Sequence, residues 1–334
     1  MQERKFVKIC PSKSDAQRAL ICSYLTEVQK TTAGTNYDDA RTKAESRVKN
    51  ISRSRDVLAM KNCLDEILKW AVDSKKNEPD GEAELELVLN ADASGATLRF
   101  IVPICAALGI NAVIRYNGRK RTIDPLGELL RGKGLKVTEN EGSIAISGKL
   151  EGGNFEIPGN ISSQFISGLL FALTLTKDGG SIQIKGILES SGYVKMTIDS
   201  LERSGIEVSK DGKTFIVTGG QIYSAPDEYK VEGDWTNAAV WMGINAILLA
   251  TENKIYKGRS SDFISKAEIL TGRHLLDFPI QIRGLNMRSS QPDIAILDII
   301  GRFFDIGKDG NNILKGDNVF DCSEIPDLVP VISV

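Results

Sequence analysis

The sequence predicts an α/β protein that is assembled from repeated helix-plus-hairpin units. Residues 126–146 and 196–217 share one pattern, in which a helix, a glycine and a strand are followed by a turn and a second strand. A third, less regular copy runs through residues 294–314. Because the first two copies lie about seventy residues apart, similar modules explain the pattern better than one doubly wound sheet does.

The elements between these units follow from local patterns. Residues 26–50 are polar and mixed in charge, which indicates a solvated insertion or an exposed helix. Apolar spacing predicts a helix over residues 57–72, and strict alternation predicts a strand over residues 84–89. Glycines, a proline and charged residues interrupt the pattern over residues 219–233, which predicts a joint between domains there.

The composition is typical of a globular protein that is larger than one average domain. The chain has 334 residues, of which 41% are hydrophobic and 26% are charged. A net charge of −2 lacks the basic footprint of a nucleic-acid-binding protein. The sequence shows neither a membrane-spanning apolar stretch nor a signal-peptide pattern. We therefore expect a cytoplasmic protein that has neither nucleic acid nor membrane as a partner.

The cysteines and the histidine argue against several kinds of site. Five cysteines without CxxC spacing predict free thiols in a reducing compartment, with no disulfide framework and no metal site. The single histidine, His274, disfavours a Ser-His-Asp hydrolase and a histidine-rich metal enzyme. The glycine motifs GxGxxG and GxxxxGK[ST] of nucleotide-binding folds are absent from the sequence.

The first predicted helix opens with a run of polar and basic residues. Ser14, followed three residues later by Gln17, predicts a capping box and a helix that begins at Lys13 to Ser14. Ser14 and Arg18 are four residues apart, so they share a helical face near the positive end of the helix dipole. With Lys13, they would place a hydroxyl, an ammonium and a guanidinium where an anion is favoured. An ordinary capped surface helix explains the same pattern.

A second polar run precedes the apolar residues 100–108. Gly95 allows a close approach of a ligand to the backbone, and Thr97 and Arg99 supply hydrogen-bond donors. A turn that enters a core helix is the alternative. Arg121 lies in a basic cluster that is either part of an anion site or a solvated face.

Two further helix starts and one carboxylate complete the candidate residues. Ser162, Ser163 and Gln164 place three hydrogen-bonding side chains at one helix start, although capping needs only one of them. The run around Ser190 repeats this design. Asp327 lies at the edge of an apolar segment, where it is either a cap or a base whose proton affinity is raised by partial burial.

Taken together, six motifs resemble the 5-enolpyruvylshikimate-3-phosphate (EPSP) synthase family, and they occur in the family's order over nearly the whole chain. Lys13-Ser14, where the sister UDP-N-acetylglucosamine enolpyruvyl transferases have Lys-Asn, favours the shikimate enzymes. The motifs are Pro-Ser-Lys-Ser-x-x-x-Arg at 11–18, Ser-Gly-x-Thr-Leu-Arg at 94–99, Ser-Ser-Gln at 162–164, Ser-x-x-Tyr at 190–193, Val-Glu-Gly-Asp at 231–234 and Ile-Pro-Asp at 325–327.

The resemblance implies a two-globule inside-out α/β barrel. Residues 1–12 would supply a first strand to the second globule, residues 13–224 would form the first globule, and residues 225–334 would belong to the second. A later family segment, which carries a proton-donating Glu, has no counterpart in this sequence, so we expect the second globule to be incomplete. The resemblance also implies a monomer.

The chemistry implied by the resemblance is transfer of the enolpyruvyl group of phosphoenolpyruvate to the 5-hydroxyl of shikimate 3-phosphate, with release of phosphate. Asp327 would act as the base, Lys13 would assist catalysis, and no cofactor or metal would be required. A catalytically inactive homologue that binds shikimate 3-phosphate is the alternative. The shikimate 3-phosphate ligands would be Lys13, Ser14, Arg18, Ser162, Ser163, Gln164, Ser190 and Asp327, and the phosphoenolpyruvate ligands would be Lys13, Gly95, Arg121 and Gln164.

The sequence departs from the family pattern at several positions, Asp124, Ala93, Ala96 and Ser191, and the first of these bears on the phosphoenolpyruvate site. The family has a phosphoenolpyruvate-binding Arg directly before a Pro-Leu or Pro-Met pair, and alignment on Pro125-Leu126 puts Asp124 at that place. Arg121 is then the nearest substitute.

Overall fold

A computed structural model of the protein describes residues 5–76, 86–118, 122–251, 280–300 and 320–333. The chain divides into two compact units. The larger unit is Lys13–Val231, and the smaller unit combines Met1–Ser12 with Glu232–Val334.

The larger unit alternates helices and short strands. Its helices are α1 (Lys13–Lys30), α2 (Tyr37–Arg47), α3 (Arg55–Lys76), α4 (Gly95–Leu108), α5 (Leu126–Gly132), α6 (Ser163–Leu175) and α7 (Ser191–Arg203). Strand β1 (Lys5–Lys8) belongs to the smaller unit. The strands of the larger unit are β2 (Val48–Lys49), β3 (Leu87–Asn90), β4 (Ala112–Arg115), β5 (Lys136–Asn140), β6 (Ser143–Ser147), β7 (Gly153–Pro158), β8 (Gly179–Lys185), β9 (Val208–Asp211), β10 (Thr214–Thr218) and β11 (Tyr229–Lys230).

Two sheets of the larger unit repeat one topology, which confirms the predicted repeat. The sheet orders are β3-β4-β6-β5 and β7-β8-β10-β9, and in each the first pair is parallel and the other two are antiparallel. Each sheet is therefore one β-α-β-α-β-β module. The sequence pattern predicted only the second helix of each module and the hairpin that follows it. The glycine and the turn that mark this second half of the module are local signals in the sequence.

Three helices form the interior of the larger unit. α1, α4 and α6 are buried over most of their length, whereas β5 and β10 alternate buried and exposed residues. Strands with one solvated face form an outer layer, so their apolar sides pack against the central helices. This is the α/β arrangement with helices inside that the family resemblance implies, although the described residues include no closed barrel.

The contact between α4 and α6 depends on a glycine. A Cβ atom on Gly168 would lie 2.3 Å from the backbone oxygen of Arg99 and 3.0 Å from Cγ of Pro103. One turn further on, the rings of Phe100 and Phe171 meet edge to face with centroids 5.6 Å apart. Because an aliphatic side chain at position 168 would push the two backbones apart, only glycine permits this approach.

The smaller unit has its own apolar core. β1 pairs in parallel with β12 (Ile280–Arg283), and α8 (Trp235–Thr251) packs its buried Trp235 into a cluster with Ile9, Met242 and Ile282. A 3₁₀ turn (Pro326–Leu328) leads into the short helix α9 (Val329–Ile332).

Most of the predicted elements are present. α3 covers the predicted helix over 57–72, and α2 is the partly exposed helix expected within 26–50, with Ala40 and Ala44 buried. Leu58 lies off the buried face of α3 and is exposed. β3 contains residues 87–89 of the strand predicted over 84–89. The third helix-plus-hairpin copy, over 294–314, falls mostly outside the described residues.

The cysteines agree with the expectation of free thiols. All five are unpaired with one another, and Cys22, Cys63 and Cys105 are buried. Burial raises the pKa of Cys22 to about 11 and that of Cys63 to about 12, so both remain protonated thiols at neutral pH. Within the described residues, no helix has the length and apolar character needed to cross a lipid bilayer.

We expect Gly168→Ala to destabilise the larger unit strongly. The added methyl group meets a backbone oxygen that cannot move independently, so the free energy of unfolding should fall by roughly 3 kcal/mol. Gly132→Ala is the matched control, because no atom lies within 4 Å of its added Cβ. That variant should be neutral or more stable by about 0.5 kcal/mol. Urea denaturation checks both values, and equal stability of the two variants would contradict the packing account.

Candidate functional site

The start of α1 presents Lys13 beside α3. Lys13 Nζ lies 3.0 Å from Oδ2 of Asp56, and both side chains are partly exposed. Helix α1 begins at Lys13, as predicted, but the capping box is wrong. Ser14 lies inside the first turn, and the Gln17 amide is used elsewhere.

Gln17 joins the start of α1 to the start of α4. Its Nε2 is 3.3 Å from Ser94 Oγ, 3.3 Å from Thr97 Oγ1 and 3.3 Å from the backbone oxygen of Asp56. Gln17 is buried, so these bonds replace those that its amide would make to water. Sequence reasoning assigned Gln17 to a cap and missed Asp56, which carries no local signal of a role.

Arg18 turns inward and clamps α1 to α7. Its guanidinium donates from Nε to Thr197 Oγ1 (2.8 Å), from Nη2 to the Tyr193 oxygen (2.9 Å) and from Nη1 to the Ser14 oxygen (2.8 Å). Arg18 is 3% exposed and stacks over Phe100. Burial lowers its pKa to about 10, so it remains charged at neutral pH.

The predicted convergence of three groups on one helical face is therefore not what the described residues show. Lys13 extends to α3, whereas the guanidinium of Arg18 is enclosed against α7. The physical reason is that α1 is buried on almost every side, so a face containing Arg18 meets protein rather than solvent. Its role as a ligand stays a prediction.

The start of α4 is a capped turn whose first helical residue, Gly95, is buried. Ser94 Oγ accepts from the backbone N–H of Thr97 at 3.2 Å, and Gly95 follows it as the first helical residue. The preceding loop is fixed by Asp92, whose two carboxylate oxygens each lie 2.9 Å from a nitrogen of Arg55. Hydrogen bonds from Arg55 lower the pKa of Asp92. A rigid loop therefore positions the free N–H groups of this helix start.

The start of α6 is tied to α4 by an arginine. Ser162 caps the helix by accepting from the Gln164 N–H at 3.3 Å. Arg99 Nη1 donates to Gln164 Oε1 at 2.7 Å and makes a longer contact to Ser162 Oγ at 3.4 Å. Ser163, the first residue of α6, is buried, with 8% of its surface exposed. Capping thus accounts for Ser162, and Arg99 accounts for the orientation of Gln164.

The start of α7 has an unusual backbone. Ser190 is the N-cap residue, and its φ of 55° lies in the left-handed region. Its hydroxyl makes no capping bond to the helix. A serine in this conformation costs about 1–3 kcal/mol, and such strain is concentrated at functional sites. Further along α7, Thr197 donates to Ser167 of α6 at 2.8 Å, which links the last two helices.

Side-chain hydrogen bonds therefore connect four helix starts within the larger unit. Gln17 joins α1 to α4, Arg99 joins α4 to α6, and Arg18 with Thr197 joins α7 to α1 and α6. Backbone N–H groups, hydroxyls and an amide at positive helix ends favour an anion. The arrangement can hold phosphate or carboxylate oxygens.

The remaining predicted site residues do not belong to these helix starts. Asp327 belongs to the smaller unit, in the turn Pro326–Leu328, and it is exposed. Arg121 and His274 lie outside the described residues. Asp124, at the family's arginine position, pairs with Arg131 at 2.8 Å.

Comparisons with known proteins bear on the family. The family described as EPSP synthase (3-phosphoshikimate 1-carboxyvinyltransferase) matches residues 3–255. A 3-phosphoshikimate 1-carboxyvinyltransferase of Clostridioides difficile (strain 630) is 33% identical over 98% of this chain and 70% of its own length. One from Brachyspira hyodysenteriae (strain ATCC 49526 / WA1) is 34% identical over 96% of this chain and 69% of its own length.

A solved structure agrees on the fold. The EPSP synthase from Acinetobacter baumannii superposes with a TM-score of 0.51 at 18% sequence identity, over 73% of this chain and 54% of that one. The chain therefore spans about 70% of the length of its curated relatives and 54% of the length of the solved enzyme. On the extent of the family match and the identity to these relatives, this chain belongs to the EPSP synthase family.

Proposed function

We propose that the protein transfers the enolpyruvyl group of phosphoenolpyruvate to the 5-hydroxyl of shikimate 3-phosphate and releases phosphate. Family membership supports the reaction, and the linked helix starts support the binding of its anionic substrates. The observation that carries the proposal is the set of hydrogen bonds that joins α1, α4, α6 and α7. A cytoplasmic, monomeric protein that needs no cofactor is part of the same proposal, as are the two globules 13–224 and 225–334.

The larger unit would bind shikimate 3-phosphate through the starts of α1, α6 and α7. Ser162, Ser163 and Gln164 offer a hydroxyl, backbone N–H groups and an amide for the phosphate oxygens. Ser190 adds a hydroxyl at the next helix start, and Lys13 adds a positive charge. Ser14 and Arg18 complete the set by family position. Fixed donors of this kind do not have to reorganise when charge develops during the reaction.

Phosphoenolpyruvate would lie near the start of α4. Gly95 has no side chain to block the approach of an anion to the helix N-terminus, and Lys13 and Gln164 would contribute to both substrates. Arg121 would supply a further positive charge. Positioning two anions against one another converts their reaction into an effectively unimolecular step.

Asp327 is assigned as the general base by its Ile-Pro-Asp motif. It would take the proton of the 5-hydroxyl as that oxygen attacks the enol carbon of phosphoenolpyruvate. One proton is added to the enol methylene, which becomes a methyl group in the tetrahedral adduct. The adduct then loses phosphate together with one proton of that methyl group, which restores the double bond and returns the added proton. Lys13 would stabilise the departing phosphate through its positive charge.

The direct test measures turnover and binding side by side. We expect phosphate release from shikimate 3-phosphate plus phosphoenolpyruvate in a steady-state assay, and calorimetric binding of shikimate 3-phosphate alone. Binding without turnover would favour an inactive binding homologue. The absence of both would overturn the proposed substrate.

Lys13→Met should separate ligand binding from stability. The Lys13–Asp56 pair is partly exposed, so its loss should change the free energy of unfolding by at most about 1 kcal/mol. The loss of a charge-assisted contact to phosphate should weaken shikimate 3-phosphate binding by roughly 10–100-fold. Lys195→Met is the control, because Lys195 also forms a surface ion pair, with Asp199. Equal affinity of both variants would argue against Lys13 as a ligand.

Asp327→Asn should lower kcat by about 10²–10⁴-fold, which is the usual contribution of a positioned acid or base. The asparagine is isosteric and Asp327 is exposed, so thermal unfolding should not change. Steady-state kinetics of phosphate release provides the measurement. A kcat within twofold of the unmodified protein would exclude Asp327 as the base.

A further inference from the structure

We propose that Arg99 is a positioning residue that turns the start of α6 into a surface made only of hydrogen-bond donors, and thereby selects a phosphorylated ligand. This inference rests on the proposed function, in which the start of α6 receives the phosphate of shikimate 3-phosphate. Arg99 itself is not proposed to touch the ligand.

The orientation of the Gln164 amide follows from the chemistry of its partner. A guanidinium can only donate hydrogen bonds, so the 2.7 Å contact from Arg99 Nη1 requires the carbonyl oxygen of Gln164 to face it. The NH₂ group of Gln164 must then face away from Arg99. Among the residues that the structure describes, no protein group accepts a hydrogen bond from this NH₂ group. Gln164 is partly exposed, so its two donors are accessible to a ligand.

The same arginine acts on the hydroxyl of Ser162. Ser162 Oγ accepts from the Gln164 N–H at 3.3 Å and has a longer contact with Arg99 Nη1 at 3.4 Å. Because these two donors occupy the lone pairs of the oxygen, the hydroxyl hydrogen of Ser162 points away from both the Gln164 N–H and Arg99. Ser162 therefore also acts as a donor towards an incoming group.

Arg99 is well placed to fix these orientations. Its guanidinium stacks over the ring of Phe165 with a separation of 4.8 Å, and its backbone oxygen lies against Gly168. Both contacts are to α6, the helix that carries Ser162 and Gln164. The arginine is thus held by the helix that it orients.

A surface of donors distinguishes a phosphate from an alcohol. The oxygens of a phosphate dianion can accept from the Ser162 hydroxyl, the Gln164 amide and the helix N–H groups together. A hydroxyl in the same place can accept at most two of these bonds, and its own hydrogen finds no acceptor. The start of α6 should therefore favour shikimate 3-phosphate over unphosphorylated shikimate, and this preference should depend on Arg99.

Calorimetry with both ligands tests the proposal. Arg99→Met should weaken shikimate 3-phosphate binding by roughly 10–30-fold, about the effect of losing one well-placed hydrogen bond to a charged group, and should change shikimate binding by less than about threefold. Arg99→Lys keeps the charge over Phe165 but lacks the planar fork, so it should show an intermediate loss. Arg203→Met is the matched control, because Arg203 also stacks on an aromatic ring, that of Tyr229, and it should leave both affinities unchanged.

A double-mutant cycle separates positioning from a general structural effect. If Arg99 acts through Gln164, then adding Arg99→Met to Gln164→Ala should weaken shikimate 3-phosphate binding by no more than about threefold further. Losses that simply multiply, or an equal loss of affinity for shikimate and shikimate 3-phosphate, would overturn the proposal.

NMR of the Gln164 side-chain amide without ligand tests the role of Arg99 independently of shikimate 3-phosphate binding. If the unmodified protein binds no shikimate 3-phosphate, the proposed function fails, but the orientation of Gln164 can still be examined by NMR of its side-chain amide. We expect the Gln164 NH₂ resonances to shift in both Arg99→Met and Arg99→Lys and to stay in place in Arg203→Met. Unchanged resonances in a folded Arg99 variant would show that Arg99 does not orient the amide.

Discussion

The close approach of α4 and α6 is the constraint on which the rest of the larger unit depends. Gly168 brings the α6 backbone against the Arg99 carbonyl, and both residues lie within the first two turns of their helices. Two helix N-termini therefore lie on the same side of the core. Because each N-terminus carries a partial positive charge and free N–H groups, their alignment creates a region that favours anions before any charged side chain is considered.

The interior of this unit contains polar groups whose bonds are almost all internal. Gln17 and Arg18 are both buried on α1. The Gln17 amide nitrogen lies 3.3 Å from acceptors on α3 and at the start of α4, and Arg18 donates two hydrogen bonds to α7 and one to the Ser14 carbonyl of α1 itself. A buried guanidinium is tolerated only when its donors are paired, so Arg18 holds α1 and α7 in one relative position. Such internal bonding restricts each helix start to a single geometry. A preformed site of this kind binds an anion with little loss of conformational freedom.

Local patterns in the sequence were enough to predict most helices, the repeated hairpins and the polar helix starts. Apolar spacing defined α3, and the glycine and turn residues defined the hairpins β5–β6 and β9–β10. The direction of long side chains could not be predicted, because it depends on distant parts of the chain. Gln17 reaches Ser94, which is 77 residues away, and Arg18 reaches Thr197, which is 179 residues away. The left-handed backbone of Ser190 also has no signal in its residue type.

We propose that helix starts far apart in the sequence form a single anion site. The most direct measurement is an NMR titration of the ¹⁵N-labelled protein with shikimate 3-phosphate, followed at the backbone amides of Gly95, Ser163, Gln164 and Ser191. We expect all four amides to shift along curves that fit one dissociation constant. Shifts confined to one helix start, or separate dissociation constants for different starts, would contradict a single site.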